Sequence, residues 1–473
     1  MMKIIGANSD FDLTVNLVGS KSESNRALMI AYYGGFTPRI NNLSTSDDTV
    51  LLSEIINKIN VKTRFIASHK SNTASHKSNN EGSIINCQNA GTVFRFLATA
   101  LAFRDGDFIL TGSDRMMQRP VGDLVDALRT MGADIEYIGQ EGFPPLKIRG
   151  GKFVETDENP SQINVNISRS SQFASSILLA LPTIETRNGT SLHLDGNLSS
   201  LPYIDMTIDV MRKFGAGVHR DGRDVFVKHS DYQDVEYCVE SDWTCASYWY
   251  EAVALSDNGR ARLRNLRLDS KQGDAIVAKW FENFGVKTVQ DDNDIIITHV
   301  ETDENPSHEK MGFHPYHNKT DFHPSHEKMD FHPFHKKTDF HPSLHFDFID
   351  NPDLFPTIAA TCAGLHVEGH FTGLRNLVHK ESDRVAAMID ELSKIGVKFE
   401  KISDDELIVT PVETFQETSL EIVFNPHNDH RIAMSLAPLA MKIGALEIEN
   451  ADVVSKSYPN FWTEFQKSFP SCC

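Results

Sequence analysis

The chain has 473 residues, too many for one ordinary hydrophobic core, so two domains are expected. Its formal charge of −19 argues against nucleic acid as the main partner, while allowing small anionic substrates wherever cations are concentrated. With 40 % apolar and 23 % charged residues and no apolar run long enough to span a bilayer, the composition is that of a soluble globular protein. Met1 to Asp10 has neither a basic n-region nor an apolar h-region, so no secretion signal is read. The cysteines are scattered and form no CxxC pair, which suggests reduced thiols in a cytoplasmic protein and no zinc ribbon.

In chain order, an alternating segment from Phe11 to Val18 reads as a strand and leads into Gly19-Ser20-Lys21-Ser22-Glu23-Ser24-Asn25-Arg26. This hydroxyl-rich octet precedes an apolar run and reads as a helix start, placing Lys21 and Arg26 where free N–H groups and the helix dipole favour an anion. Asn89-Ala90-Gly91-Thr92 opens a helix bearing Arg95, with Asn89 as a possible cap and Gly91 permitting close backbone approach. In Arg115-Met116-Met117-Gln118-Arg119-Pro120, Pro120 suits the first helical position and leaves Arg119 just outside it. Ser168-Arg169-Ser170-Ser171-Gln172 opens a further apolar helix. His379-Lys380-Glu381-Ser382-Asp383-Arg384 opens the helix Val385 to Lys394, with Lys380 and Arg384 four apart on one helical face. Asn428-Asp429-His430-Arg431 opens the last such helix.

Any one of these starts could be a capped helix end with solvated charges. A cation in the first turn opposes the dipole, however, and is unfavourable unless an anion compensates it. Repeated in an acidic chain, the pattern suggests a substrate with more than one anionic group, since Arg forks and Lys point charges suit phosphate and carboxylate.

Helix ends repeat as well. Met131-Gly132-Ala133, Phe214-Gly215-Ala216, Phe284-Gly285-Val286 and Ile395-Gly396-Val397 each close a helix with Gly at the left-handed position before a strand, and Ile59-Asn60-Val61-Lys62 looks like a fifth copy. Their period of roughly 70 residues implies roughly six units, each large enough for a βαβαββ module. Helices such as Thr92 to Phe103, Phe173 to Leu181 and Ile432 to Leu439 are apolar on nearly every face, as buried helices are, whereas strands at Asp107 to Thr111 and Ser419 to Phe424 alternate, with one wet face.

Three kinds of insert break this pattern. SHKSN repeats at Ser68 and Ser75, VETDENPS recurs at Val154 and Val300, and a FHPxHxKxD unit begins at Phe313, Phe322, Phe331 and Phe340. They read as surface loops. The His-rich tract, with His314, His317, His323 and His326, is either a metal-binding segment or an expansion of repeated coding sequence, and the prolines beside its histidines prevent a regular helical face.

The motifs GSKSESNR, QNAGT with Arg95, RMMQRP, SSQ, SLPYID, NPD, KESDR, NDHR and SKSYPNFW occur in the order seen in 5-enolpyruvylshikimate-3-phosphate synthases, and from about Lys3 to Phe465 the chain resembles that family. The resemblance implies a two-domain inside-out α/β barrel of six βαβαββ units with buried helices. One domain would span residues 20–240, and the other would join 1–19 to 241–473 and carry the His-rich insert at about 301–345. It further implies transfer of the enolpyruvyl group of phosphoenolpyruvate to the 5-hydroxyl of shikimate 3-phosphate, with release of phosphate. No cofactor, metal, nucleic acid or membrane is implied, and a monomer is expected.

Carried over by motif, Ser22, Arg26, Ser170, Ser171, Ser200, Tyr203, Asp353, Asn376 and Lys380 would hold shikimate 3-phosphate. Lys21, Gly91, Arg119, Gln172, Arg384, Arg431 and Lys456 would hold phosphoenolpyruvate. Asp353 would act as base, and Glu381 with Lys21 as acids. Gly91 also implies inhibition by glyphosate, which a side chain there would crowd. Leu201 departs from the Lys common in this family, Phe96 from a common Pro, and His379 from a usual apolar residue. The alternatives are a UDP-N-acetylglucosamine enolpyruvyl transferase, which typically carries a Cys in the loop corresponding to Ser113–Gln118 where this chain has none, and a non-catalytic metal-binding protein built on the His-rich tract.

Overall fold

The computed structural model describes residues 1–5, 10–69, 82–151, 162–184, 189–300, 343–411 and 422–467. The SHKSN repeats beyond His69, both VETDENPS copies save Val300, and the His-rich tract to residue 342 lie outside the described residues. The strand Leu344–Asp347 begins inside the insert expected at about 301–345.

The α-helices in chain order are α1 (Lys21–Gly34), α2 (Asp47–His69), α3 (Gly91–Ala102), α4 (Asp114–Met117), α5 (Gly122–Thr130), α6 (Gln172–Ala180), α7 (Leu201–Lys213), α8 (Trp243–Leu255), α9 (Val277–Trp280), α10 (Phe355–Leu365), α11 (Arg384–Ser393), α12 (His430–Leu436), α13 (Ala440–Ile443) and α14 (Phe461–Phe465). None among the described residues is long and apolar enough to cross a membrane.

Four four-stranded sheets share one topology. Ser83–Asn86 runs parallel to Gly106–Thr111, which pairs antiparallel with Leu146–Gly150, itself antiparallel to Asp134–Tyr137. The same order recurs in Gln162–Asn166, Thr190–Asp195, Asp224–Val227 and Val218–Asp221. It recurs in Leu344–Asp347, Gly369–Thr372, Glu406–Thr410 and Lys398–Lys401. It recurs once more in Asp10–Val15, Asn258–Leu263, Asp294–His299 and Val286–Asp291. In each case a helix (α3, α6, α10 or α8) precedes the second strand and another (α5, α7, α11 or α9) precedes the third, which is the βαβαββ pattern. A three-stranded sheet (Met2–Ile5, Ala445–Ile448, Ile422–Phe424) and a two-stranded pair (Arg39–Asn41 with Glu236–Cys238) complete the described strands.

Burial follows the apolar pattern. α8 is buried along all 13 residues and α12 along all 7, while Thr190–Asp195 alternates between buried and half-buried positions. Helices apolar on nearly every face, such as α3, α6, α8, α10 and α12, lie inside, whereas α5 and α11 bury one face and expose the other. Gly132, Gly215, Gly285 and Gly396 all have the left-handed φ expected of them, from 74° to 91°. The fifth copy fails, since α2 continues through Ile59–Lys62 to His69. Nothing in that stretch lacks a Cβ or otherwise stops a helix.

Buried apolar side chains form two clusters. One draws only on residues between Ala27 and Val239; the other joins Ile4 to Val18 with Trp243 to Phe465. The chain passes between them twice, at neighbouring points. Gly19 bridges Ser241, and Ser20 N donates to Glu240 O at 2.8 Å. Asp242 serves both helices that start there: Oδ2 accepts from Lys21 N of α1 at 3.2 Å, and Oδ1 caps α8 through Cys245 N at 3.0 Å. Glu23 fastens the returning strand, accepting from Tyr237 Oη and from Glu240 N at 3.0 Å, and burial pushes its carboxyl up to about 7. At about 1 kcal/mol for each orphaned N–H, Asp242→Ala is expected to lower the thermal midpoint by roughly 4–8 °C. Calorimetry showing no shift would remove the double-cap role.

Candidate active site

The helix starts singled out in the sequence converge. One cleft between the two cores is lined by Lys21, Ser22, Asp48, Gly91, Thr92, Arg119, Arg169, Ser170, Ser171, Gln172, Ser199, Ser200, Tyr203, Asp353, Asn376, Lys380, Glu381, Arg384 and Arg431. Six cations therefore face three carboxylates in a protein whose overall charge is strongly negative. Of the seventeen residues carried over by motif, only Arg26 and Lys456 do not line it.

The local folding explains the placement. Lys21 is the first residue of α1, with Ser20 accepting from Glu23 N as its cap, and Lys21 Nζ lies 3.3 Å from Asp48 Oδ2 at the start of α2. Arg384 opens α11 behind the Asp383 cap, and Arg431 is the second residue of α12 behind the Asp429 cap. Three expectations are corrected. Asn89 does not cap α3, whose boundary residue is Ala90 without a side-chain bond; the Asn89 Oδ1 is buried with no hydrogen-bond partner among the described residues, and its backbone carbonyl accepts from Lys456 Nζ at 2.8 Å. Pro120 precedes Val121, the boundary residue of α5, instead of opening the helix. Lys380 lies in extended backbone after the 3-10 turn Arg375–His379, so it shares no helical face with Arg384. Both reach Asp353 nonetheless.

Asp353 is the hub of the ionic network. It accepts from Arg384 Nη1 at 2.5 Å, Arg431 Nη2 at 2.7 Å and Tyr203 Oη at 3.2 Å, with Lys380 Nζ at 3.9 Å. Burial opposes its ionisation, but Arg431, Lys380 and Arg384 outweigh burial and hold the carboxyl well below the usual range. Arg384 also donates to Asp429 at 2.8 Å and Glu381 at 2.9 Å. Glu381 is further faced by Lys456 at 3.7 Å and Arg119 at 3.9 Å, and these cations again overcome burial and lower its pKa. Burial, then repulsion from Lys21 and Arg431, holds His430 well below its ordinary value, so it is neutral.

On the opposite wall, Gln172 accepts from Arg95 at 3.1 Å and donates to Thr92 at 2.9 Å. Asn376 donates to Ser168 O at 3.0 Å and Ser199 Oγ at 3.3 Å, across the two cores. Arg26 is fully buried behind this wall, its donors taken by Thr207, Ser22, Ser175 and Tyr203, with its guanidinium over the Phe96 ring. Phe96 leaves α3 unbroken from Gly91. Leu201 meets the other half through its backbone, N donating to Asp350 at 3.1 Å. A Cβ on Gly91 would sit 2.5 Å from Arg95 Nη1 and 2.6 Å from the Arg119 guanidinium, so a side chain there would push these two guanidinium ends out of place. The Nε atoms of Arg95, Arg119 and Arg431 are buried without a hydrogen-bond partner among the described residues.

Sequence reasoning picked out the helix starts that carry Arg169 and Thr92 without giving either residue a substrate, and missed Asp48 and Ser199 as cleft residues and Asp429 as the buried partner of Arg384. Asp48 carried a weak signal as one of two acidic residues opening α2. No group of His, Cys, Asp and Glu side chains suited to a metal ion occurs among the described residues, and Cys87, Cys238, Cys245 and Cys362 are free. The wall of serines, the cation cluster and the paired carboxylates together suit two small anions reacting through proton transfer.

Comparison with known proteins agrees. The family model for EPSP synthase (3-phosphoshikimate 1-carboxyvinyltransferase) matches residues 6–318 and 336–465. The 3-phosphoshikimate 1-carboxyvinyltransferase of Bacteroides fragilis strain YCH46 is 33% identical over 99% of this chain and 98% of its own, and that of Xenorhabdus nematophila is 32% identical over 96% and 95%. Among solved structures, the EPSP synthase of Acinetobacter baumannii superposes with a TM-score of 0.68 at 20% identity, covering 100% of this chain and 99% of its own. The enolpyruvyl transferase NikO of Streptomyces tendae gives 0.66 at 14% identity, covering 100% and 97%. These two share the fold. By the family match and the full-length relatives, the chain belongs to the EPSP synthase family.

Proposed function

We propose that this chain transfers the enolpyruvyl group of phosphoenolpyruvate to the 5-hydroxyl of shikimate 3-phosphate, releasing phosphate. The observation that carries the reading is the cation cluster gathered around Asp353 and Glu381 at the junction of the two cores. Residues 20–240 form one domain and 1–19 with 241–473 the other, within a six-unit inside-out arrangement, a division supported by the two core clusters and the paired crossovers. The protein works as a monomer in the cytoplasm.

Shikimate 3-phosphate lies against Ser22, Ser170, Ser171, Ser200, Tyr203, Asn376 and Lys380, with Arg26 supporting that wall from behind. Phosphoenolpyruvate lies against Lys21, Gly91, Arg119, Gln172, Arg384, Arg431 and Lys456. Asp353 takes the 5-hydroxyl proton while Glu381 or Lys21 delivers one to the methylene carbon, and the hydroxyl oxygen bonds to the adjacent carbon to form a tetrahedral phospholactyl intermediate. Removal of a proton from the new methyl group with cleavage of the C–O bond to phosphate then gives enolpyruvylshikimate 3-phosphate and phosphate.

The ion pairs suggest how the carboxylates become active. A carboxylate held low by Arg384 and Arg431 is a weak base, and one held ionised by Arg119, Arg384 and Lys456 has no proton to give. The carboxylate and phosphate of phosphoenolpyruvate draw those cations away, so both carboxyl pKa values rise when the donor substrate binds. The cleft encloses about 70 Å³, room for a few waters, so the halves must part to admit substrate.

A phosphate-release assay tests the reading: phosphate should appear only with both substrates, and persist after residues 301–342 are excised. No turnover in either form would overturn it. Asp353→Asn and Glu381→Gln should each lower kcat about 10²–10⁴-fold. Gly91→Ala should raise KM for phosphoenolpyruvate about tenfold, equivalent to roughly 1.4 kcal/mol, by displacing Arg119.

A further inference from the structure

Arg115, the second residue of α4, does not line the cleft. Its guanidinium nevertheless crosses from one core to the other. Nε donates to Lys380 O at 3.2 Å, while Nη2 donates to Lys380 O at 2.8 Å and to Val378 O at 3.0 Å. Nη1 faces Gln118 Oε1 at 3.4 Å, within its own segment. The acceptors stand at the end of the 3-10 turn Arg375–His379, where the last carbonyls have no donor of their own. Lys380 is extended there (φ −81°, ψ −160°), so the orientation of its carbonyl sets the direction in which Glu381 leaves.

Other side chains also tie the two halves together: Lys456 Nζ bonds Asn89 O at 2.8 Å, Ser455 Oγ bonds Asp47 Oδ2 at 2.6 Å, and Asn376, earlier in the same 3-10 turn, donates to Ser168 O at 3.0 Å and Ser199 Oγ at 3.3 Å. None of these three bonds the Val378 or Lys380 carbonyl. A planar guanidinium can hold two carbonyls in fixed relative orientation, whereas an ammonium on a flexible stem cannot.

We propose that Arg115 is a positioning residue for the transfer reaction: its fork on the Val378 and Lys380 carbonyls brings Lys380 and Glu381 to their stations only when the two halves are together. The inference rests on the enolpyruvyl-transfer reading. It makes the proton-donating geometry conditional on closure, because parting of the halves pulls the guanidinium from both carbonyls.

The test compares Arg115→Lys and Arg115→Ala with the wild-type chain, measuring kcat, both KM values and the thermal midpoint. The expected result is a fall in kcat of at least tenfold in both variants, with KM for phosphoenolpyruvate within threefold of wild type and the midpoint within a few degrees. Wild-type activity in Arg115→Lys would mean that charge alone suffices, and would overturn the proposal. So would kcat within threefold of wild type in both variants, an effect confined to KM, or loss of folded protein in both, which would assign Arg115 a structural role. A wild-type chain with no turnover removes the transfer reading itself and this inference with it, whereas wild-type turnover with unaffected variants removes only the role of Arg115.

Discussion

The structure depends on one electrostatic constraint: arginines brought into a buried cleft must be paired. Arg384 is 1 % exposed and lies among Asp353, Glu381 and Asp429, while Arg431 shares Asp353 with it. Removing one member of such a network leaves an uncompensated buried charge, at a cost of about 3–5 kcal/mol. The partners come from three separated stretches of chain, and Tyr203 of the other half donates to the same Asp353. Charge pairing is thus one of the forces that holds the two cores in register. The same cations suit anionic substrates, so stability and binding draw on one set of groups.

Helix burial makes this arrangement possible. Helices that are apolar on every face must run through the interior, with their N-termini emerging at the junction of the two cores. Residues at the first turns of α1, α3, α6 and α12, together with the first turn of the half-exposed α11, line one cleft, though they lie far apart along the chain. Asp242 shows how closely fold and site are joined, since one carboxylate caps α8 and receives the backbone N–H of Lys21. Basic residues at these helix starts oppose the dipole and are tolerated because carboxylates such as Asp383 and Asp429 cap the same helices.

Much of this was legible in the chain. The Gly132, Gly215, Gly285 and Gly396 repeat marked helix ends correctly because a left-handed residue leaves a local signature. Asn60 misled, because an Asn is compatible with a helix interior and the residues after it kept α2 going. Helix starts were readable within a residue or two, but Asn89 and Pro120 were assigned capping roles that their side chains and backbones do not take. Asp48, Ser199 and Asp429 escaped notice because each is an ordinary polar residue whose partners lie far away in sequence.

Sequence alone determined the kinds of chemistry available, the burial of the helices, the motif order that marks the family, and seventeen candidate residues, of which all but Arg26 and Lys456 line a single cleft. The first two are local properties, set by side-chain type, periodicity and backbone preference, whereas the candidate residues came from the resemblance that the motif order carries. Only the tertiary structure decided which charge faces which. Asp353 meets Arg384 and Arg431, Glu381 meets Lys456 and Arg119, and Arg115 reaches the Lys380 carbonyl. Such pairings join residues tens to hundreds of positions apart, and Coulomb and hydrogen-bond energies fall away unless the packing of the chain brings the groups within a few ångströms.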